Sequence, residues 1–361
     1  MKRLAPSSVT FTFYLAAAVA LGPLSTDMYL PTFPQLAAFF NATPAEVQLT
    51  LSIFTFGIGG CQLIYGPLTD RFGMVVPRAM VRDLFAREQA ARQLSRMGTI
   101  MGLAPAIAPV IGGYIVVFYG WQSIFFVLGL FGFTMALITV FLVDESLKVK
   151  DLNAIRPRHI VRNYSDLIRH REFLGYALTG GFCFGGLFSF ISGSPLVLIE
   201  VFGVAADNFG YFFGIVVLGY MAGTLLGPYV TKSRGLSFSV GIGTVICALG
   251  GVAMLAAAWG GLHSVSAVVI PMIVYTLGLG VVLPQSQAGA MAPFPEKAGS
   301  ASALMGFLML GFAALLGFLV AYFYDGTEMA MVTSIGLMGI GSALIFRLTA
   351  SGSTEEHWEE N

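Results

Sequence analysis

Residues 235–295 read GLSFSVGIGTVICALGGVAMLAAAWGGLHSVSAVVIPMIVYTLGLGVVLPQSQAGAMAPFP, without one Asp, Glu, Lys or Arg. A helix that crosses a bilayer needs about 20 apolar residues, so this run holds two crossings. Trp259-Gly260-Gly261-Leu262-His263 marks the turn between them. A second long run, residues 97–143, is equally free of charge and is divided at Tyr119-Gly120-Trp121. Shorter charge-free runs cover residues 4–26, 47–69, 173–199, 208–231, 298–324 and 329–346, each long enough for one helix. The spacing predicts ten spanning helices, near residues 10–30, 46–66, 97–118, 121–143, 173–199, 208–230, 237–258, 265–287, 299–322 and 328–347. The fold class is an all-α polytopic membrane protein.

Composition agrees. Of 361 residues, 56% are hydrophobic and 11% charged, where a soluble domain carries about 25% charged residues. Mean hydropathy is +0.80. The 44 glycines suit close helix–helix approach in lipid. A formal net charge of zero argues against a nucleic-acid partner. His159, His170, His263 and His357 are scattered without metal-ligand spacing, and no nucleophile–base pair, phosphate loop or redox motif is present. Neither an enzyme nor a metal or cofactor site is expected. Cys61, Cys183 and Cys247 all fall in apolar runs, which argues against a disulfide framework.

The loops set the orientation. When loops are numbered alternately inside and outside, all 19 Lys and Arg residues fall inside, as the positive-inside rule requires. The outside loops carry Glu46, Glu200, Asp207, Asp325 and Glu328. Both termini are therefore expected in the cytoplasm. The first apolar run is too long for a signal peptide and lacks a small-residue cleavage pattern, so it reads as the first spanning helix.

The chain divides into halves. Residues 1–143 form an N-terminal half of about four helices with a basic inner loop at 70–96, and residues 144–172 a cytoplasmic central loop. Residues 173–348 form a C-terminal half of six helices, and 349–361 an acidic cytoplasmic tail. Gly66-Pro67-Leu68-Thr69-Asp70-Arg71-Phe72-Gly73 in the first half is echoed by Gly227-Pro228-Tyr229-Val230-Thr231-Lys232-Ser233-Arg234-Gly235 in the second. In each, a proline is expected to end or bend the helix before a basic turn. From Gly227 to Ala298 is 71 residues, but from Gly66 to Met97 only 31. The shortfall equals two helices of about 20 residues. The intervening residues 74–96 read as a basic amphipathic helix on the inner membrane surface or as a solvated loop.

At several of these stretches the sequence resembles the major facilitator superfamily, and more closely the Bcr/CflA (bicyclomycin-resistance) multidrug efflux transporters. Residues 21–31 (LGPLSTDMYLP) resemble the family's first helix, and residues 66–73 its inner-loop signature. Residues 102–113 (GLAPAIAPVIGG) resemble the antiporter signature, with Gly102, Pro105, Pro109, Gly112 and Gly113 in place. Ser192-Gly193-Ser194-Pro195 and residues 292–303 resemble stretches of the seventh helix and before the eleventh. The resemblance implies a two-half helical bundle, here lacking the third and most of the fourth of twelve helices. It implies proton-coupled efflux of small amphipathic drugs across the bacterial inner membrane. The proton gradient would supply the energy, and the protein would act as a monomer in lipid. Two other readings remain: a non-transporting scaffold derived from such a transporter, and a metabolite transporter on the same fold.

Asp27 is the one charged residue set within an apolar helix, about 25 Å from its inner end at 1.5 Å per residue. An acid at that depth faces a cavity or carries a proton. Asp27 is thus the candidate for proton coupling. Alternatively, Pro31 and Pro34 end the helix and leave it in the outer interface. The resemblance makes Gly66, Asp70, Arg71 and Gly73 an inner gate. Pro105 and Pro109 share one face of a bendable helix. Tyr29, Phe33, Phe190, Ser192, Ser194, Tyr275, Gln285 and Gln287 are candidates to line a substrate cavity.

Overall fold

A backbone in hydrocarbon must satisfy its hydrogen bonds within its own segment, so charge-free runs fold as helices. The computed structural model describes residues 9–72, 87–143, 157–294 and 297–349. The first half contains α1 (Val9–Asp27), a 3-10 turn (Leu30–Thr32), α2 (Phe33–Phe40), α3 (Pro44–Phe72), α4 (Arg87–Tyr119) and α5 (Trp121–Leu142). α6 (Pro157–Arg169) follows. The second half contains α7 (Arg171–Ser194), a wider-turned π segment (Pro195–Val201), α8 (Ala206–Arg234), α9 (Leu236–Trp259), α10 (Val265–Met291), α11 (Ala298–Tyr322) and α12 (Met329–Thr349). Among the described residues, nine segments are long and apolar enough to span a membrane, and the shorter apolar helix Leu103–Tyr119 within α4 covers the one remaining expected span, near 97–118.

Four expectations need correction. The first helix does not run unbroken to residue 30: α1 ends at Asp27 and resumes through the 3-10 turn as α2. The proline signals do not stop their helices, for α3 continues through Pro67 to Phe72 and α8 through Pro228 to Arg234. A proline removes one hydrogen bond, and packing across the bundle offsets that loss. Residues 87–96, read as part of a separate basic amphipathic helix or a solvated loop, are helical but continuous with the next span, as the first turns of α4. Alanines 90 and 91, Gln93, Leu94 and Met97 are strong helix formers that carry the helix past its charges. Finally, the central loop contains α6, whose Ile160, Tyr164 and Leu167 recur on one face. Leu167 is fully buried. The Tyr164 hydroxyl donates to the Leu63 carbonyl at 2.9 Å. Lys297 Nζ donates to Asp166 Oδ2, also at 2.9 Å. α6 thus ties the C-terminal part of α3 to the start of α11. Residues 73–86 and the acidic tail lie outside the described residues.

The second half is a closed bundle: α7 packs against α10, α11 and α12, and α9 pairs with α10 and α12. The first half is thinner, with α1 packed on α4 and lightly on α5. Within the apolar window of α5 only 11% is buried inside the protein, against 72% for the segment containing α7. Phe126, Phe133 and Val140 of α5 are exposed. No described helix pair in the first half matches α9–α10. Two seams join the halves: α3 against α11, and α4 against α8. A capping box opens α3. The Thr43 N–H donates to Glu46 Oε2 at 2.7 Å, and the Glu46 N–H donates to Thr43 Oγ1 at 3.3 Å.

Candidate functional site

The first spanning helix of each half is interrupted. Paired interruptions at corresponding positions of two repeats are where transporter folds place binding groups. In α1 the break runs from Asp27 through the 3-10 turn, with Pro31 at its centre. Asp27 is 3% exposed, so it is not an interfacial residue. It accepts one hydrogen bond, from Thr26 Oγ1 at 2.9 Å. No Lys or Arg pairs with it among the described residues. Tyr29 and Phe33 follow it along the chain, their rings 5.1 Å apart. The Tyr29 hydroxyl lies 2.6 Å from Thr50 Oγ1 on α3.

In the second half, α7 passes into the π segment at Ser194-Pro195. A π turn widens a helix and frees backbone groups, and such turns gather at functional sites. Ser192 and Ser194 are fully buried here, and neither hydroxyl has a partner among the described residues. Phe190 stacks on Phe213 of α8 with ring centres 5.9 Å apart. α2 touches the π segment, so the two interruptions meet through the pieces that follow them in the chain.

The glycine-rich face of α4 holds this region together. A Cβ on Gly112 would stand 2.8 Å from the Met28 carbonyl carbon, and one on Gly113 would stand 2.7 Å from the Ala206 carbonyl oxygen. From the other side, a Cβ on Gly210 would reach 2.5 Å from Val110 Cα and 2.8 Å from the Pro109 carbonyl carbon. Backbones of α1, α4 and α8 therefore meet without intervening side chains.

A cleft of about 200 Å³ opens lower on the α3–α11 seam. Gln62 of α3, Phe184 of α7, Gln287 of α10, and Ser302, Met305 and Met309 of α11 line it. Above it, Gln48 and Ser52 of α3 are buried with no partner for their polar atoms among the described residues.

The sequence profile of the Major Facilitator Superfamily matches residues 73–318. The chain belongs to this superfamily. It is 29% identical to a bicyclomycin resistance protein homolog of Haemophilus influenzae, over 95% of this chain and 97% of that one. It is 30% identical to the uncharacterized MFS-type transporter YdgK of Bacillus subtilis, over 98% and 97%. Multidrug resistance protein MdtL of Salmonella typhimurium is 24% identical over 95% and 96%. Among solved structures, a D-xylose–proton symporter superposes with a TM-score of 0.64 at 13% identity, covering 94% of this chain and 97% of that one. A bacterial homolog of the human lysosomal transporter Spinster, inward-facing and occupied, gives 0.61 at 13% identity, covering 96% of each. These two show the fold alone. The protein is thus a multi-pass membrane transporter, not an enzyme. The Haemophilus alignment spans 396 positions and this chain has 361 residues, so at least 35 positions of the relative have no counterpart here.

The other expected site residues of this superfamily member are placed as follows. The backbones of Gly66, Asp70 and Arg71 lie in the last turns of α3, and that of Gly102 lies within α4, while Gly73 is outside the described residues. Pro105 and Pro109 lie inside α4 without interrupting it. Gln287 reaches the seam cleft. Gln285 is buried beside Gly227 of α8. Tyr275 is fully buried in the second half, where its hydroxyl donates to the Cys183 carbonyl at 3.0 Å. Sequence reasoning missed Gln48, Ser52 and Gln62. Their signal was a polar residue recurring at helical spacing on the second spanning helix.

Proposed function

We propose that this transporter exports small amphipathic compounds across the bacterial inner membrane in exchange for protons. It works as a monomer in lipid with both termini in the cytoplasm, and the proton gradient is its energy source. The relatives named for bicyclomycin and multidrug resistance support the direction and substrate class. The placement of all 19 basic residues supports the orientation.

The carrying observation is Asp27, a carboxyl buried at a helix break with one hydroxyl partner. Charge in a low-dielectric site carries a high free-energy cost. A cycle in which the acid is neutral while sealed and ionised while open to water ties proton transfer to movement of the break. The contact of Gly112 with Met28 makes that movement felt by α4, and through Gly113 and Gly210 by α8.

Replacing Asp27 with Asn removes the proton acceptor and keeps the shape. In inverted vesicles, Asp27→Asn is expected to abolish pH-gradient-driven drug accumulation at unchanged protein abundance. Undiminished gradient-driven accumulation would reject Asp27 as the carrier. Orientation is checked with an impermeant thiol reagent in a background lacking native cysteines. Cysteines at Thr43 and Ala205 should label in intact cells, and one at Ser351 only after permeabilisation.

A further inference from the structure

α6 packs on the bundle along one side only. On the adjoining face, Val161 is 67% exposed and Ile168 47% exposed. Arg162 and Arg169 stand beside them and are exposed as well. These four lie three or four residues to either side of Ser165, so they surround it in a single patch two turns long. α6 carries three arginines and one aspartate. That aspartate, Asp166, accepts its hydrogen bond from Lys297 of α11 at 2.9 Å. Neither Arg162 nor Arg169 makes a hydrogen bond or a close ion pair among the described residues. The patch is therefore half apolar and half positive, with its charges unspent.

The helix is fixed at the edge of the apolar layer. Tyr164 donates to the carbonyl of Leu63, which lies just inside the end of the apolar span Pro44–Tyr65. At its other end α6 turns through His170 directly into the span Arg171–Val201. His170 holds that corner: its Nδ1 accepts from the Phe173 N–H at 3.4 Å, and its ring packs edge-on to Phe294 with centres 4.9 Å apart. A helix anchored at this depth, with apolar side chains and arginines uncovered on one face, has the pattern of one that lies in a membrane interface. Valine and isoleucine are covered there by acyl chains, while arginine stems share that layer and carry their guanidiniums out to phosphate oxygens. A soluble phosphate ion would engage the arginines and leave Val161 and Ile168 in water. A phospholipid engages both.

We infer that the face of α6 formed by Val161, Arg162, Ser165, Ile168 and Arg169 is a docking surface for an anionic phospholipid. The headgroup phosphate pairs with Arg162 and Arg169, and the upper part of the acyl chains covers Val161 and Ile168. Because α6 also holds Leu63 of the first half and Lys297 of the second, lipid bound here steadies the clasp between them.

The test is thermal melting of the purified full-length protein in a mild nonionic detergent, titrated with short-chain phosphatidylglycerol, short-chain phosphatidylcholine or inorganic phosphate. A ligand that binds the folded state raises the melting temperature, and the half-saturating concentration reads its affinity. Phosphatidylglycerol is expected to raise the melting temperature saturably, with less effect in high salt. Phosphatidylcholine and inorganic phosphate should do little. Attraction to an anionic lipid surface is worth roughly fivefold per arginine, so Arg162→Gln with Arg169→Gln should raise the half-saturating phosphatidylglycerol concentration about 25-fold. Both arginines are exposed and unpaired, so melting without lipid should stay unchanged in that variant. If the double variant does not fold, each single substitution should cost about fivefold. Val161→Ser with Ile168→Ser should weaken the response as well. An equal response to phosphatidylcholine or to inorganic phosphate, or an unchanged phosphatidylglycerol response in the folded variants, overturns the inference.

Discussion

Gly112 of α4 lies against the carbonyl of Met28, the residue that follows Asp27. Its missing side chain sets the distance between the antiporter-like helix and the break in α1. Gly112→Ala forces one backbone to shift and is expected to cost about 1–3 kcal/mol. Gly129 of α5 has open space where its Cβ would be. Gly129→Ala should instead be neutral or stabilising by up to about 1 kcal/mol, the helix-propensity gain. Melting of the two variants in the same detergent separates a specific contact from a general effect of mid-helix substitution.

Gln48 offers a test in which stability and function move apart. Gln48→Met keeps the volume and removes two orphaned polar atoms. Replacing an unsatisfied buried group with an apolar one of similar shape is neutral or stabilising. The melting temperature should hold or rise, while export should fall severalfold. A loss of both together would mark Gln48 as a structural residue.

The clasp between α6 and α11 predicts a pH dependence. The Lys297 hydrogen bond holds the Asp166 carboxyl below 3.8, its ordinary value. A depressed folded-state value means that the contact stabilises above the unfolded value and is lost as pH falls through the folded one. Asp166→Asn should therefore lower the melting temperature slightly at pH 7, and the gap from the parent should persist to about pH 5 and close in the window below 3.8. Both side chains are partly exposed, so the effect is small and weakens in high salt.

The spans were legible because hydrocarbon excludes charge: each run without Asp, Glu, Lys or Arg corresponds to a helix or helix pair. Helix ends were less so. Proline looked like a terminator at Pro67 and Pro228, yet packing overrides the loss of one hydrogen bond there. Charge looked like a terminator at Arg96, yet the local residues favour helix through it. Asp27 stood out because a lone acid in an apolar run faces a cavity, carries a proton or lies at the interface, and only its burial in the structure removes the last of these. Gln48, Ser52 and Gln62 did not, because a neutral polar side chain in a membrane helix also serves simply to bond a neighbour. Only the structure shows that the Gln48 amide and the Ser52 hydroxyl are buried without a partner among the described residues. Tyr275 misled for the opposite reason: its hydroxyl is already engaged by Cys183.

The α3–α11 seam also bears on how the protein is made. α3 ends at Phe72 and its partner begins at Ala298. At roughly 5–20 residues per second of synthesis, the ribosome needs on the order of 10–45 s to deliver one after the other. Throughout that interval the polar residues of α3 have no α11 to cover them, and the sparsely buried α5 gives the first half little to close upon. The nascent first half is therefore at its most vulnerable to membrane proteases before α11 is inserted. Changes that delay α11, though remote in sequence, should be read out first as loss of the helices made earliest.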